Sequence, residues 1–229
     1  MTAHPASRSV PTARIGNRHP LSLVLITLTA VSGLVDAICY LGLGHVFTAN
    51  MTGNVVVIGF ALAGAPGFSV TGSLVSLAAF LTGAVVAGRL ARAFRDRHRV
   101  PWVRAAVWGE AVLLGIATAV AFATGGRPPY PVIALVALAM GLRNGTVGKL
   151  AVPDMTTTVL TRTLAALAAE SRLAGGTDAR SVRRIIAVVA MLAGAIPGAW
   201  LVLHHGVAWP LLLSTVIVTA TAVGYRERE

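Results

Sequence analysis

Charge is what this sequence has least of. Only 12% of its 229 residues are Asp, Glu, Lys or Arg, against about 25% in an ordinary soluble domain. With 55% hydrophobic residues beside that shortage, a soluble globule is excluded. Cysteine is nearly absent too. Cys39 is the single thiol, so neither a disulfide nor a thiolate metal site can form within one chain. Catalytic signatures are missing: there is no His-Glu-x-x-His, no Gly-x-Ser-x-Gly and no phosphate loop. An ATP-driven pump made of one chain is excluded, and the reading is of a protein that is not an enzyme and takes no cofactor. His45, His204 and His205 lack carboxylate or thiolate companions at ligand spacing, so no metal site is expected.

What the chain does have is long apolar runs. Segments 21–43, 68–90, 103–124, 131–148, 185–203 and 207–225 each reach or approach the roughly 20 residues that cross a bilayer core as helix. The first is too long for the 7–15-residue core of a signal peptide and carries Asp36, so it reads as a retained helix. Residues 1–20, rich in Pro, Ser, Arg and His, read as a disordered cytoplasmic tail. Residues 21–225 form a single transmembrane domain, and 226–229 a cytoplasmic C-terminus.

Between the runs lie two polar interruptions. The first is Phe47-Thr48-Ala49-Asn50-Met51-Thr52-Gly53-Asn54; a weaker copy is Val152-Pro153-Asp154-Met155-Thr156-Thr157-Thr158. Each opens into a short apolar helix, 52–64 and 155–169. Thirteen residues make about 20 Å of helix, too short for a hydrocarbon core of about 30 Å.

The basic residues decide the topology. The formal charge of +11 is distributed in clusters between apolar spans, as topology-setting charge is. No nucleic-acid motif accompanies it, so no nucleic-acid partner is expected. If all eight apolar helices crossed, one orientation would put the Arg89–Arg104 cluster outside and the other would expel the remaining clusters. If 52–64 and 155–169 enter and leave on one side, six spans remain. Nearly every cluster then faces the cytoplasm, with Arg127 outside and Arg143 within a span.

That solution makes 21–93 and 131–203 inverted repeats, since one unit starts inside and the other outside. Gly33-Leu34-Val35-Asp36 pairs with Gly141-Leu142-Arg143-Asn144, Met51-Thr52 with Met155-Thr156, and Gly83-Ala84 with Gly194-Ala195. The expected fold is therefore an all-α polytopic membrane protein: six transmembrane helices plus two re-entrant half-helices, built as an inverted repeat. Gly141-x-x-x-Gly145, Gly194-x-x-x-Gly198 and Ala84-x-x-x-Gly88 have helix-packing spacing, within the chain or in a homodimer.

Paired interruptions at corresponding positions of two halves point to a solute site in secondary transporters. The candidate solute-binding residues are Asp36, Asn50, Thr52, Asn54, Arg143, Asn144, Asp154, Thr156 and Thr157. Their hydroxyls, amides and charges serve equally as helix caps or as solute ligands near half-helix N-termini. Ionisable residues within spans usually face a cavity or a partner. On that basis Asp36 is the candidate for proton coupling. Glu110 reads as an interfacial partner of Arg104, and Arg143 as a snorkelling cation or a partner of Asp36 or a solute. Asp154 would offset the half-helix dipole and so leaves the solute's charge open.

The strings Gly33-Leu34-Val35-Asp36-Ala37, Phe47 to Asn54, Gly141-Leu142-Arg143-Asn144 and Thr157-Thr158-Val159-Leu160-Thr161 resemble the YoaK-type membrane proteins, domain of unknown function 1275. The resemblance extends over nearly the whole chain beyond residue 20. It implies a small, multi-pass bacterial inner-membrane protein and leaves the activity open. Arg162 stands where the family favours a small residue. The expected function is a secondary transporter of a small polar or charged solute, with both termini cytoplasmic and the lipid bilayer as partner. A passive channel and a non-transporting scaffold are the alternatives.

Overall fold

The computed structural model describes residues 20–94, 99–150, 160–177 and 181–225. The expected N-terminal tail and C-terminus, apart from Pro20, lie outside the described residues, as does the start of the second half-helix at 155–159. Eight α-helices and no strand occur among the described residues: α1 (Pro20–Gly42), α2 (Met51–Leu62), α3 (Val70–Ala93), α4 (Arg99–Thr124), α5 (Tyr130–Leu150), α6 (Leu160–Ala169), α7 (Ser181–His205) and α8 (Ala208–Gly224). α1, α3, α5, α7 and α4 from Val100 onward are long and apolar enough to cross a membrane. α8, at 17 residues, stands at the lower end of the range of about 17–25 that can span.

The helices form because the apolar runs are uninterrupted, and they stop where the chain turns polar or glycine-rich. α1 stops at Gly44 and His45, both with positive φ (89° and 58°). The N–H groups of Leu43 and His45 bond back to the carbonyls of Cys39 and Tyr40, which satisfies the end of the helix. Ser69 caps α3, its side chain accepting from the Gly72 N–H at 3.0 Å.

Two helices, α3 and α7, pack inside-out relative to those of a soluble protein. α3 buries Gly72, Ser73, Ser76, Gly83 and Ala87 while exposing Leu74, Leu81, Val85 and Val86. α7 buries Arg184, Ala187, Gly194 and Gly198 while exposing Ile185, Val189, Leu192 and Ile196. Small residues inside and large aliphatics outside are what lipid surroundings favour. The outer faces of these helices are bilayer-contacting surface.

Two helix pairs carry the tightest contacts, α1 on α7 and α3 on α5. A Cβ at Gly33 would strike the Met191 carbonyl, and one at Gly194 the Ala30 carbonyl. On the other pair, Gly141 meets the Phe80 carbonyl and Gly83 the Leu138 carbonyl. The contacts advance together along each pair: Ala30 with Gly194 then Leu34 with Gly198, Phe80 with Gly141 then Ala84 with Gly145. Each pair is therefore parallel. The Gly88 of Ala84-x-x-x-Gly88 has nothing within 4 Å. On that helix Gly83, Ala84 and Ala87 make the contact and Gly88 does not, because the face toward α5 is centred earlier than the motif implied.

The burial patterns agree in register. From Val24 to Cys39, the buried positions of α1 coincide one for one with those of α5 from Val132 to Val147, Gly33 falling on Gly141 and Leu34 on Leu142. Ser73, Ser76, Gly83 and Ala87 of α3 coincide in the same way with Arg184, Ala187, Gly194 and Gly198 of α7.

The remaining contacts fix the ends of the bundle. Gly42 and Gly126 both approach Val207, and His45 bonds to the Gly67 carbonyl at 3.0 Å, so these turns share one end. At the other end, Leu21, Val103 and Leu150 line one cleft. Arg127 lies at the first end, while Arg92, Lys149, Arg172 and Arg183 lie at the second. α4 and α8 are antiparallel, joined by Thr118 and Thr215 (3.0 Å) and by the Phe122–Trp209 ring contact.

Candidate functional site

The first interruption folds back along α1. Thr48 is buried and its hydroxyl donates to the Cys39 sulfur at 3.3 Å, so the chain re-enters the bundle beside the helix it has just left. Asn54 holds the turn. Its Oδ1 accepts from the Phe47 N–H at 2.9 Å, and its Nδ2 donates to the Phe47 carbonyl at 2.5 Å and to Ser76 at 3.2 Å. Ser76 donates to the same carbonyl at 2.6 Å. Irregular backbone in hydrocarbon must have its polar groups satisfied by protein, and these two side chains do that for Phe47. Gly53 is required because the Phe47 ring covers it.

The polar residues singled out in sequence thus separate. Asn54 is committed to Phe47 and Ser76. Asn50 precedes α2 without a side-chain capping bond, and it and Thr52 are exposed. Asp36 lies on α1 beside the re-entering chain, where the Ala49 backbone N–H faces its carboxylate. Its Oδ1 is buried and has no hydrogen-bond partner among the described residues. Asn144 donates to the Met140 carbonyl at 2.8 Å. Asp154, Thr156 and Thr157 lie outside the described residues. Arg162 is exposed on α6, so its departure from the family's small residue is accommodated at the surface.

A second polar centre lies at the middle of the bundle. Glu110 and Arg143 are 1% and 2% exposed. Arg143 Nε donates to Glu110 Oε2 at 3.0 Å, and Nη2 donates to Oε1 in a fork-to-fork pair. Nη1 donates to the Leu28 carbonyl at 2.8 Å and to the Ser32 hydroxyl at 2.7 Å. Three helices, α1, α4 and α5, meet on one guanidinium. This corrects two expectations. Glu110 is no interfacial partner of Arg104, because α4 starts at Arg99 and three helical turns carry Glu110 to mid-bundle. Arg143 does not snorkel, because Glu110 faces it at the same depth. The signal was present in sequence only in part: ionisable residues within spans usually pair, and Arg143 had two acids within spans to choose from, Asp36 and Glu110.

α6 is tied to α7 by Arg184, which donates to the Ala166 carbonyl at 2.8 Å and pairs with Glu170 at 2.9 Å. A cation at the last turn of α6 complements that helix end. Among the described residues no group of three or more His, Cys, Asp or Glu is placed to hold a metal. His204 Nδ1 lies 2.8 Å from the Trp200 carbonyl, and its ring stacks on Trp200 at 4.8 Å.

The chain matches the family model described as "Protein of unknown function (DUF1275)" over residues 24–224. It is similar to the UPF0700 transmembrane protein YoaK of Bacillus subtilis (strain 168), with 37% identity over 145 residues. That match covers 63% of this chain and 64% of the relative, so the chain spans just under two thirds of the relative's length. No solved structure matches.

Proposed function

We propose, from the premise that this chain belongs to the DUF1275 family of membrane proteins, that it is a secondary transporter of a small polar or charged solute. The observation that carries this reading is the common register of its two halves. α1 and α5 bury the same pattern, α3 and α7 bury another, and the close contacts cross between halves at matching glycines. Two similar units inserted in opposite orientations account for all of this. α2 then enters and leaves at the end holding Gly42 and Gly67, and α6 at the end holding Leu150 and Ser181. Six helices cross, with α8 as the sixth. Asp36, beside the first break, and Asn144 fall on equivalent positions of α1 and α5, the placement expected of a midplane solute site.

On this reading the solute meets Asp36, Asn50, Thr52 and Asn144 with Asp154, Thr156 and Thr157, while Asn54 holds the first break in shape. The basic end faces the cytoplasm of a bacterial inner membrane. Solutes found to stabilise the purified protein should then be tested for counterflow in proteoliposomes. A transporter gives saturable accumulation driven by a counter-gradient. Flux that never saturates and runs only downhill makes the protein a passive channel. No flux of any stabilising solute makes it a scaffold.

A further inference from the structure

Among the described residues, Asp36, Glu110 and Arg143 are the charged groups of the crossing helices that lie away from helix ends. Two carboxylates therefore share one guanidinium. Arg143 pairs with Glu110, and its Nη1 reaches across to the Leu28 carbonyl and the Ser32 hydroxyl of α1. Asp36 follows Ser32 by four residues, which puts it on the same face of α1 and about 6 Å farther along the axis. Asp36 is within electrostatic reach of Arg143, yet its buried Oδ1 has no hydrogen-bond partner among the described residues. The other titratable groups around it are distant or engaged. α7 carries none between Arg184 and His204, and α8 carries none. Cys39 is held by Thr48, and His45 by the Gly67 carbonyl and the Tyr40 ring.

A buried carboxylate without a partner is costly and takes up a proton instead, so one guanidinium keeps only one of the two acids ionised. We propose that Arg143 alternates between them. It pairs with Glu110 while Asp36 holds a proton, and it moves one turn along α1 to Asp36 when that proton leaves. One proton leaves Asp36, one joins Glu110, and the total charge of the three groups is unchanged. The exchange acts on α4 as well, because Glu110 is what ties α4 to the guanidinium. Toward the basic end lies a cleft walled by Leu25, Leu28, Val103, Val107 and Val147, with a free volume of about 10 Å³, room for about one water. Pairing with Glu110 holds that end shut, and pairing with Asp36 frees α4 to open it. Such an exchange deepens the transporter reading and rests on it for the solute's passage across the membrane.

The test is a double-mutant cycle on the purified full chain in detergent, read as unfolding temperature. Asp36→Asn leaves Arg143 with Glu110, and Glu110→Gln leaves it with Asp36, so each alone should cost little. The double variant strands a buried guanidinium without any carboxylate, which is strongly destabilising. Its loss should be at least about twice the sum of the two single losses, and failure of the double variant alone to fold is the extreme of that result. Asp36→Glu, which keeps the acid, should show no such synergy with Glu110→Gln. Additive losses overturn the proposal, as does either single variant failing to fold. A Val107→Cys background then reads the cleft with a charged methanethiosulfonate, Leu173→Cys serving as the fully exposed reference. Labelling should be at least about tenfold faster with Glu110→Gln than with Asp36→Asn, the order expected when one charge-assisted tie is released. Equal rates also overturn it. Synergy without flux of any stabilising solute upholds the exchange and sinks the transporter reading. Flux with additive losses sinks the exchange and spares that reading.

Discussion

Asn54 and Asn50 are four residues apart in one polar string, and they are expected to behave oppositely. Asn54→Ala strips the Phe47 N–H of its only side-chain acceptor and removes a donor from the carbonyl. Each buried group left unsatisfied costs about 1–3 kcal/mol, so this variant should unfold at clearly lower temperature in detergent. Asn50→Ala removes an exposed side chain with no capping bond and should leave stability within about 0.5 kcal/mol. Its effect belongs in solute affinity, where one lost hydrogen bond is worth about 0.5–1.5 kcal/mol; unchanged affinity in a folded Asn50→Ala protein would remove it from the site. Asp36 is different again, a carboxylate with one buried oxygen unpartnered among the described residues, on the helix that leads into the first break. Asp36→Asn keeps its shape but cannot ionise. It should abolish proton-driven accumulation while sparing exchange of solute down its own gradient, and uptake assays with and without an imposed pH gradient separate the two. Loss of both activities would make Asp36 structural, and retention of both would shift coupling to Glu110.

The helices were legible because an apolar run near 20 residues has few other outcomes. The short α2 was legible from its length and its polar preface. Less legible was which face of each helix is crowded. Glycine spacing marks a face only when the neighbouring helix is known, which is why Gly88 was read as a contact and Gly83 carries it. The Glu110–Arg143 pair escaped for the same reason, since two helices must be placed before two charges meet. These contacts are testable by adding one methyl group. Gly33→Ala and Gly141→Ala drive a Cβ into the carbonyls of Met191 and Phe80, overpacking that typically costs about 1–3 kcal/mol. Gly59→Ala in α2 meets nothing within 4 Å. It should instead stabilise by about 0.5–1 kcal/mol through helix propensity. Thermal unfolding of the three variants in one detergent checks the contrast; equal losses at all three would discredit the close-contact assignment.

For the molecule as a whole, the proposed orientation is open to a labelling experiment in intact cells. Ala63→Cys after α2 and Arg127→Cys between α4 and α5 should react with a membrane-impermeant maleimide from the periplasm. Leu173→Cys, fully exposed beyond α6, should react only once the cells are opened. Cys39 is buried and supplies little background. Reaction of Ala63→Cys solely from inside would rule out the re-entrant placement of α2. The close pairing of α1 with α7 and of α3 with α5 also bears on how the protein is made. Gly33 leaves the ribosome long before Met191 exists, and Gly83 before Leu138. Through that interval α1 and α3 present the bare backbone at Gly33 and Gly83 to lipid, without the later helices that cover it. Early helices in that condition are natural clients for an insertase or a membrane chaperone until the later half arrives. The same interlock implies that two separately expressed halves, divided between α4 and α5, would find each other in the bilayer. Either half alone would be cleared by membrane proteases.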